Sequence, residues 1–315
     1  MGGASSRIVL LGATGSIGRP LVQSLMEPGA ELVVVTRDPD KARRIFGESV
    51  APVAWDGRSQ KSLWERVDGA RAVVNLAGEN LAKGRWTNKR KRVILDSRRL
   101  SGRAVVEAIQ AARRRPEVLI QASAVGFYGS RDDEILDEAS PAGSGFLSAA
   151  VLDWESTTRD VETLGVRRVV IRTGMVLGRE GGALPPLARP FRFFVGGPIG
   201  SGRQWLSWIH LTDEVRAIQF LLNDGRACGV YNLVSPHPLR EKDFARAVGR
   251  ALGRPHLFKV PGFVLRWLFG EKAEETLLVS QRIVPRRLEE SGFVFSFSDA
   301  QSALDDLLKK PRAEK

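Results

Sequence analysis

The chain has 315 residues, 43% of them hydrophobic and 27% charged, with a formal net charge of +12. That length supports a large core, and no apolar run is long enough to span a bilayer. The single cysteine, Cys228, excludes an internal disulfide and fits a reducing compartment, so a cytoplasmic protein with no membrane partner is expected.

In chain order, Met1–Ser6 is short, small and polar and reads as a flexible lead-in. The β-type run Ile8–Leu11 then leads into Gly12, Gly15 and Gly18, followed by a helical pattern of Leu21, Val22, Leu25 and Met26. This is strand, tight turn, helix. Gly12 allows the turn, Gly15 lets the backbone approach a phosphate, and Gly18 lets the helix sit close to the strand. Free amides at the helix start, with the helix dipole behind them, favour a pyrophosphate there. The candidate dinucleotide loop therefore comprises Gly12, Thr14, Gly15, Ser16, Ile17 and Gly18; an ordinary glycine turn is the alternative reading.

Further strands are expected at Glu31–Thr36, Val50–Val53, Ala72–Leu76, Val118–Ala122 and Arg168–Arg172, with helices between most of them. The clearest helix is Lys89–Arg115, where Val93, Ile94, Leu100, Ala104, Val105, Ala108 and Ile109 mark one apolar face. Near-continuous apolar strands alternating with helices predict an α/β fold, a Rossmann-type doubly wound parallel sheet. Ligands in such sheets sit beyond the C-terminal strand ends. From Gly178 to Trp208 the alternation stops in favour of Gly, Pro and aromatic residues, which reads as a substrate cover or a second small core. Thr212 or Asp213 is expected to cap a helix running to Leu222, and Val230–Val234 to form another strand. Helices at Glu241–Leu252 and Phe263–Phe269 and a basic helical tail follow. The expected organisation is a flexible N-terminus over 1–6, a Rossmann domain over 7–253 and a small, mainly helical C-terminal subdomain over 254–310.

The basic runs Lys89–Arg92, Arg113–Arg115 and Arg286-Arg287 lack interleaved aromatic residues. They read as solvated helix faces that attract anionic ligands, not as a nucleic-acid surface. At the end of the second strand the order is Thr36-Arg37-Asp38, with Arg43 and Arg44 on the next helix. A basic residue at this point favours a 2′-phosphate and an acidic one a free ribose hydroxyl. Arg37 argues for NADP, with Asp38 as the counter-evidence.

Together, Gly12–Gly18, Asn75–Asn80, Arg85-Trp86, Ser123–Gly129, Trp154-Glu155, Gly196–Gly202 and Trp208–Asp213 resemble the extended short-chain dehydrogenase/reductase superfamily. More narrowly, they look like its atypical epimerase-like branch of NADP-binding oxidoreductases, over nearly the whole chain. The resemblance implies cofactor contacts at Thr36, Arg37, Leu76, Ala77, Gly78, Arg98 and Val176. For Arg98, a salt bridge to a carboxylate is the structural alternative.

Ordinary members of that superfamily use a Tyr-x-x-x-Lys pair, whose lysine lowers the tyrosine pKa. Here Asp132 stands four residues after Tyr128 and Ser235 four after Tyr231, so the pair is absent. If Glu155 matches the glutamate after that motif, Leu147 and Val151 fill the two places. Ser123 at a strand end, Tyr128 in the next loop and Glu79 after the Gly78 turn are the candidate catalytic residues. Tyr128 has packing and Glu79 has a surface or capping role as its alternative. Glu155 points to the site or to an arginine of a neighbouring helix, and His210 reads as a packed residue. No serine has the flanking glycines of a nucleophile elbow, no metal-ligand spacing occurs, and the glycine triplet lacks the Lys-Ser/Thr of a triphosphate loop.

The expected function is an NADP-dependent oxidoreductase or epimerase acting on a small carbonyl or hydroxyl compound. A non-catalytic NADP(H)-binding redox sensor is the alternative. The resemblance implies that pairing, where it occurs, runs through helices beside the sheet, which makes Lys89–Arg115 one candidate homodimer surface.

Overall fold

The computed structural model describes residues 6–56 and 61–309, so nearly all of the lead-in read over 1–6 lies outside the described residues. The first half runs β1 (Arg7–Leu11), α1 (Gly18–Leu25), β2 (Glu31–Thr36), α2 (Pro39–Phe46), β3 (Ala51–Ala54), α3 (Lys61–Val67), β4 (Ala72–Asn75), α4 (Asn88–Ala111) and β5 (Val118–Ala124). There follow β6 (Ile135–Leu136), α5 (Phe146–Ser156), β7 (Arg167–Thr173), β8 (Met175–Leu177), α6 (Leu184–Arg192), β9 (Trp205–Leu206), β10 (Trp208–His210), α7 (Leu211–Asn223) and β11 (Gly229–Leu233). The chain ends with β12 (Leu239–Arg240), α8 (Glu241–Leu252), α9 (Gly262–Phe269), α10 (Glu271–Thr276), β13 (Arg282–Ile283), α11 (Arg286–Glu290) and α12 (Ala300–Leu308).

Two compact units emerge, interleaved along the sequence. One comprises Met1–Ala124, Ala150–Arg172 and Val215–Tyr231; the other comprises Val125–Ala149, Thr173–Glu214 and Asn232–Lys315.

The first unit carries the expected Rossmann-type sheet. The seven runs read as strands are its seven strands, in the order β11-β7-β5-β4-β1-β2-β3. Pairing is parallel between β1 and β2, β1 and β4, β2 and β3, and β4 and β5. The order reverses between β1 and β4, which is where such sheets open a ligand crevice. One face packs Val9, Leu11, Val33, Val35, Val73 and Leu119 against Leu63, Val105 and Ile109. Alternate positions Ile8, Leu10, Leu32 and Val34 are buried as well, so both faces are covered. Helix α4 occupies most of the predicted span. Its Thr87 cap accepts from the Arg90 amide, and Ser101, Gly102 and Val105 are among its buried residues.

In the second unit the stretch 178–208, read as a substrate cover or a second small core, is not irregular throughout. Helix α6 lies inside it, and Leu184, Ala188, Phe191 and Trp208 join Leu177, Phe244, Val248, Ala303 and Leu304 in one buried cluster. This part of the stretch forms a second core, as in the alternative reading. The expected cap at Thr212 or Asp213 is also displaced. Helix α7 begins at Leu211, and His210 Nδ1 accepts the Thr212 amide at 3.1 Å. Asp213 is instead wholly buried and accepts the amides of Ser296 and Phe297 at 2.9 and 2.8 Å. A carboxylate in the first turn of its own helix can instead satisfy orphan amides remote in sequence, which local capping rules do not foresee.

Candidate cofactor site

The loop after β1 is built as its sequence requires. Gly12 has φ of +77°, and a Cβ there would lie 2.6 Å from the Leu76 carbonyl carbon at the end of β4. A Cβ on Gly18 would stand 2.4 Å from the Gly12 oxygen, so helix and turn touch backbone to backbone. The Gly15 amide donates to the Gly12 oxygen at 3.0 Å, whereas the amides of Ser16, Ile17 and Gly18 make no backbone hydrogen bond among the described residues. Ile17 caps α1 with no side-chain acceptor. Gly15 and Ser16 are exposed. Unspent donors at the positive end of a helix, approached over glycine, make a cradle for phosphate.

At the end of β2, Thr36 Oγ1 accepts the Asp38 amide at 3.2 Å, and Asp38 caps α2 by accepting the Lys41 amide at 2.9 Å. The carboxylate that argued for a free ribose hydroxyl is thus engaged in a helix cap. Arg37 is exposed and makes no ion pair among the described residues.

Beyond β4, Asn75 is wholly buried; its amide donates to Gln121 at 2.9 Å and its oxygen accepts the Ala77 amide at 3.2 Å. This shapes the Leu76-Ala77-Gly78 turn against the glycine loop. Arg98, on α4, donates to the carbonyls of Glu79 and Ile94 at 3.2 and 3.1 Å. Its guanidinium carbon lies 4.8 Å from the Trp154 ring, and a Cβ on Gly78 would come within 3.3 Å of it. Burial lowers the Arg98 pKa to about 10, opposed by the nearby Glu79 charge and assisted by Arg90. The salt-bridge alternative does not hold, because no carboxylate pairs with Arg98 among the described residues. The Trp154 indole N–H is also buried without an acceptor among the described residues. A half-desolvated cation and an orphan donor side by side suit an acceptor-rich ligand. These features fit a dinucleotide.

The catalytic candidates are placed less favourably. Ser123 is buried and donates to Glu155 Oε1 at 2.5 Å. Arg172 grips the same carboxylate through Nε at 2.8 Å and Nη2 at 2.9 Å. Glu155 therefore meets an arginine of strand β7, not of a helix. The serine proton is committed to a charged acceptor, so its oxygen is left to accept, not to donate. Glu79 is held by Arg90 at 2.9 Å. In the second unit, Tyr128 is wholly buried and its hydroxyl donates to Asn232 at 2.7 Å, as in the packing alternative. Val176 is a buried residue of β8 in that same unit. His210 stacks on Phe297 with ring centroids 3.9 Å apart, as expected for a packed residue. Among the described residues no group of side chains has metal-ligand geometry, and no helix is long and apolar enough to cross a membrane.

Arg172 was missed as a site residue. Its signal was a cation ending the apolar run Val169-Val170-Ile171, since a charge in a buried strand requires a partner. Arg172→Met is expected to destabilise the protein by about 3 kcal/mol, because it strands Glu155 without its countercharge. The urea midpoint measures this, and an unchanged midpoint would show the pair to be dispensable.

Comparison with known proteins agrees with this geometry. A family model described as the NAD dependent epimerase/dehydratase family matches residues 8–233, and a domain of unknown function, DUF1731, matches residues 260–307. The chain is 38% identical to the epimerase family protein SDR39U1 homolog, chloroplastic, of Arabidopsis thaliana, over 96% of this chain and 86% of that one. It is 36% identical to the epimerase family protein YfhF of Bacillus subtilis, over 96% of this chain and 97% of that one. Human epimerase family protein SDR39U1, solved with NADPH, superposes with a TM-score of 0.84 at 32% identity, covering 96% of this chain and 99% of that one.

Proposed function

This chain belongs to the NAD-dependent epimerase/dehydratase family, and on that premise we propose that it is an NADP(H)-dependent oxidoreductase or epimerase of small carbonyl or hydroxyl compounds. The observation that carries the proposal is the glycine cradle with three unspent amides, next to an Arg37 whose acidic neighbour Asp38 is engaged as a helix cap. In this reading the amides of Ser16, Ile17 and Gly18 hold the pyrophosphate. Thr36 and Arg37 hold the 2′-phosphate, and Leu76, Ala77 and Gly78 lie along the adenosine side. Arg98 offers its remaining N–H groups to ligand oxygens. When bound, the nicotinamide supplies hydride transfer. Ser123, with its proton given to Glu155, orients a substrate hydroxyl by accepting from it. The solved human relative carries NADPH, which supports the same cofactor here. The absence of exposed cysteine pairs supports a reducing, cytoplasmic setting. We include a homodimer through α4, where Val93 and Leu100 stand exposed beside the sheet.

One observation favours the second reading, a cofactor-binding sensor: the hydroxyl protons of Ser123 and Tyr128 are both spent inside the protein. Calorimetric titration separates cofactors, and a carbonyl panel followed by nicotinamide absorbance separates the two functions. NADPH is expected to bind at least about tenfold tighter than NADH, and Arg37→Ala to remove most of that preference. Equal affinities would overturn the Arg37 assignment. Turnover lost in Ser123→Ala supports the enzyme, whereas tight binding with no turnover on any carbonyl supports the sensor.

A further inference from the structure

The second unit exposes an apolar surface that a globular protein ordinarily hides. Phe193, Phe194 and Val195 are 66%, 53% and 53% exposed, and Leu257 and Phe258 are 78% and 56% exposed. These two stretches are neighbours. The Phe258 amide donates to the Gly196 oxygen, the Val260 amide to the Pro198 oxygen, and the Arg254 guanidinium lies 4.4 Å from the Phe194 ring. Helix α9 follows directly. It buries Leu265 but turns Phe263 and Trp267, four residues apart on one face, to solvent at 68% and 76% exposure. Phe194 has φ of +63°, a conformation that costs a bulky L-residue energy and is kept where something over-determines it.

Cations dominate these stretches, while Glu271 and Glu274 stand exposed just beyond α9 on α10. Residues 181–212 and 244–270 contain no Asp or Glu, yet include eight Arg or Lys residues. Arg246 and Arg266 pair with Asp243 and Glu274 from outside those stretches. Arg189, Arg192, Arg203, Arg250, Arg254 and Lys259 have no ion pair among the described residues. Exposed aromatic side chains on stretches rich in unpaired cations, Arg254 lying against Phe194, are the composition of a surface that rests in the headgroup layer of an anionic bilayer. A second copy is a poor occupant, since a twofold contact would set these cations against themselves. We propose that this face docks the protein reversibly on anionic lipid, with Phe263 and Trp267 inserted at the acyl boundary. The proposal departs from the sequence-based expectation of no membrane partner, which rested on the lack of a spanning run; α9 has eight residues, far too short to span.

Flotation of the full chain with vesicles tests this, comparing equimolar phosphatidylglycerol and phosphatidylcholine with phosphatidylcholine alone. The protein is expected to float with the anionic vesicles only, and less as salt is raised. The double variant Phe263→Ser, Trp267→Ser is expected to partition at least about tenfold more weakly. Its folding is checked by its melting curve and its NADPH titration, both read in the same preparation. Three outcomes overturn the proposal. The folded wild type floats with neither vesicle; the double variant floats as well as wild type, leaving charge alone; or sedimentation finds a dimer that the double variant dissolves, which gives the face to a second copy.

Discussion

Gly15→Val is expected to lower NADPH affinity by about a hundredfold or more while costing the fold only a few degrees of melting temperature. Gly18→Val is expected to do the opposite, losing the native fold before any question of binding arises. Both are glycines of one loop, and the difference lies in what a side chain would meet. At Gly18 the first added carbon falls 2.4 Å from the Gly12 oxygen and 2.6 Å from the Ala13 Cα. These are backbone atoms of the turn that joins the central strand to α1, and they cannot move without pulling β1 from β4. At Gly15 the nearest atom is the Gly12 oxygen at 3.2 Å, and the residue is otherwise exposed. The branched side chain then projects over the free amides, into the volume a phosphate needs. Calorimetry with NADPH and a thermal melt on each variant read the two effects separately. Wild-type affinity in Gly15→Val would remove this loop from the cofactor site.

That contrast also marks what was legible from residues alone. The seven strands were readable because each is a short apolar run whose period matches a sheet covered on both faces, from Ile8 to Leu233. Glycine spacing carried the turn because only glycine tolerates the Gly12 conformation and the Gly18 contact. The second unit was harder. Residues 178–208 looked irregular since α6 contains Pro185, Pro186 and Pro190; the first two stand in its first turn, where they leave the helix intact, Pro190 lies near its end, and Leu184, Ala188 and Phe191 are still buried together. Long-range polar pairings were not legible at all. Nothing in the sequence near Asp213 says that it serves Ser296 and Phe297, or that Glu275 accepts the first amides of α5 at Phe146 and Leu147. Such bonds are set by which orphan amides tertiary packing brings close. Ser123 was found as a strand-end residue, but its engagement by Glu155 and Arg172 depends on three separate elements meeting, which no local pattern encodes.

Glu214→Gln is expected to make the protein more stable at pH 9 by about 5 kcal/mol while changing little at pH 4. Glu214 is wholly buried in the first turn of α7; its Oε1 accepts the Thr173 hydroxyl at 2.8 Å and its Oε2 has no partner among the described residues. Burial raises its pKa to about 8, and the Thr173 bond offsets only part of that. The sign follows from the two states. Below pH 4.5 both the unfolded and the folded chain hold this proton, and the group contributes no pH dependence. Between about pH 4.5 and 8 the unfolded chain releases it while the folded chain keeps it, so stability falls by roughly 1.4 kcal/mol for each pH unit. Above about pH 8 both are ionised and the loss is complete. Glutamine keeps the carbonyl that Thr173 needs and has no proton to lose. Glu241, raised to about 7 by burial, and His210, lowered by burial, titrate in wild type and variant alike, so subtracting the two stability curves isolates position 214. Chemical denaturation at intervals from pH 4 to 9 gives both curves. If they run parallel, Glu214 is already charged in the folded protein, and its unpartnered oxygen has found a compensating donor.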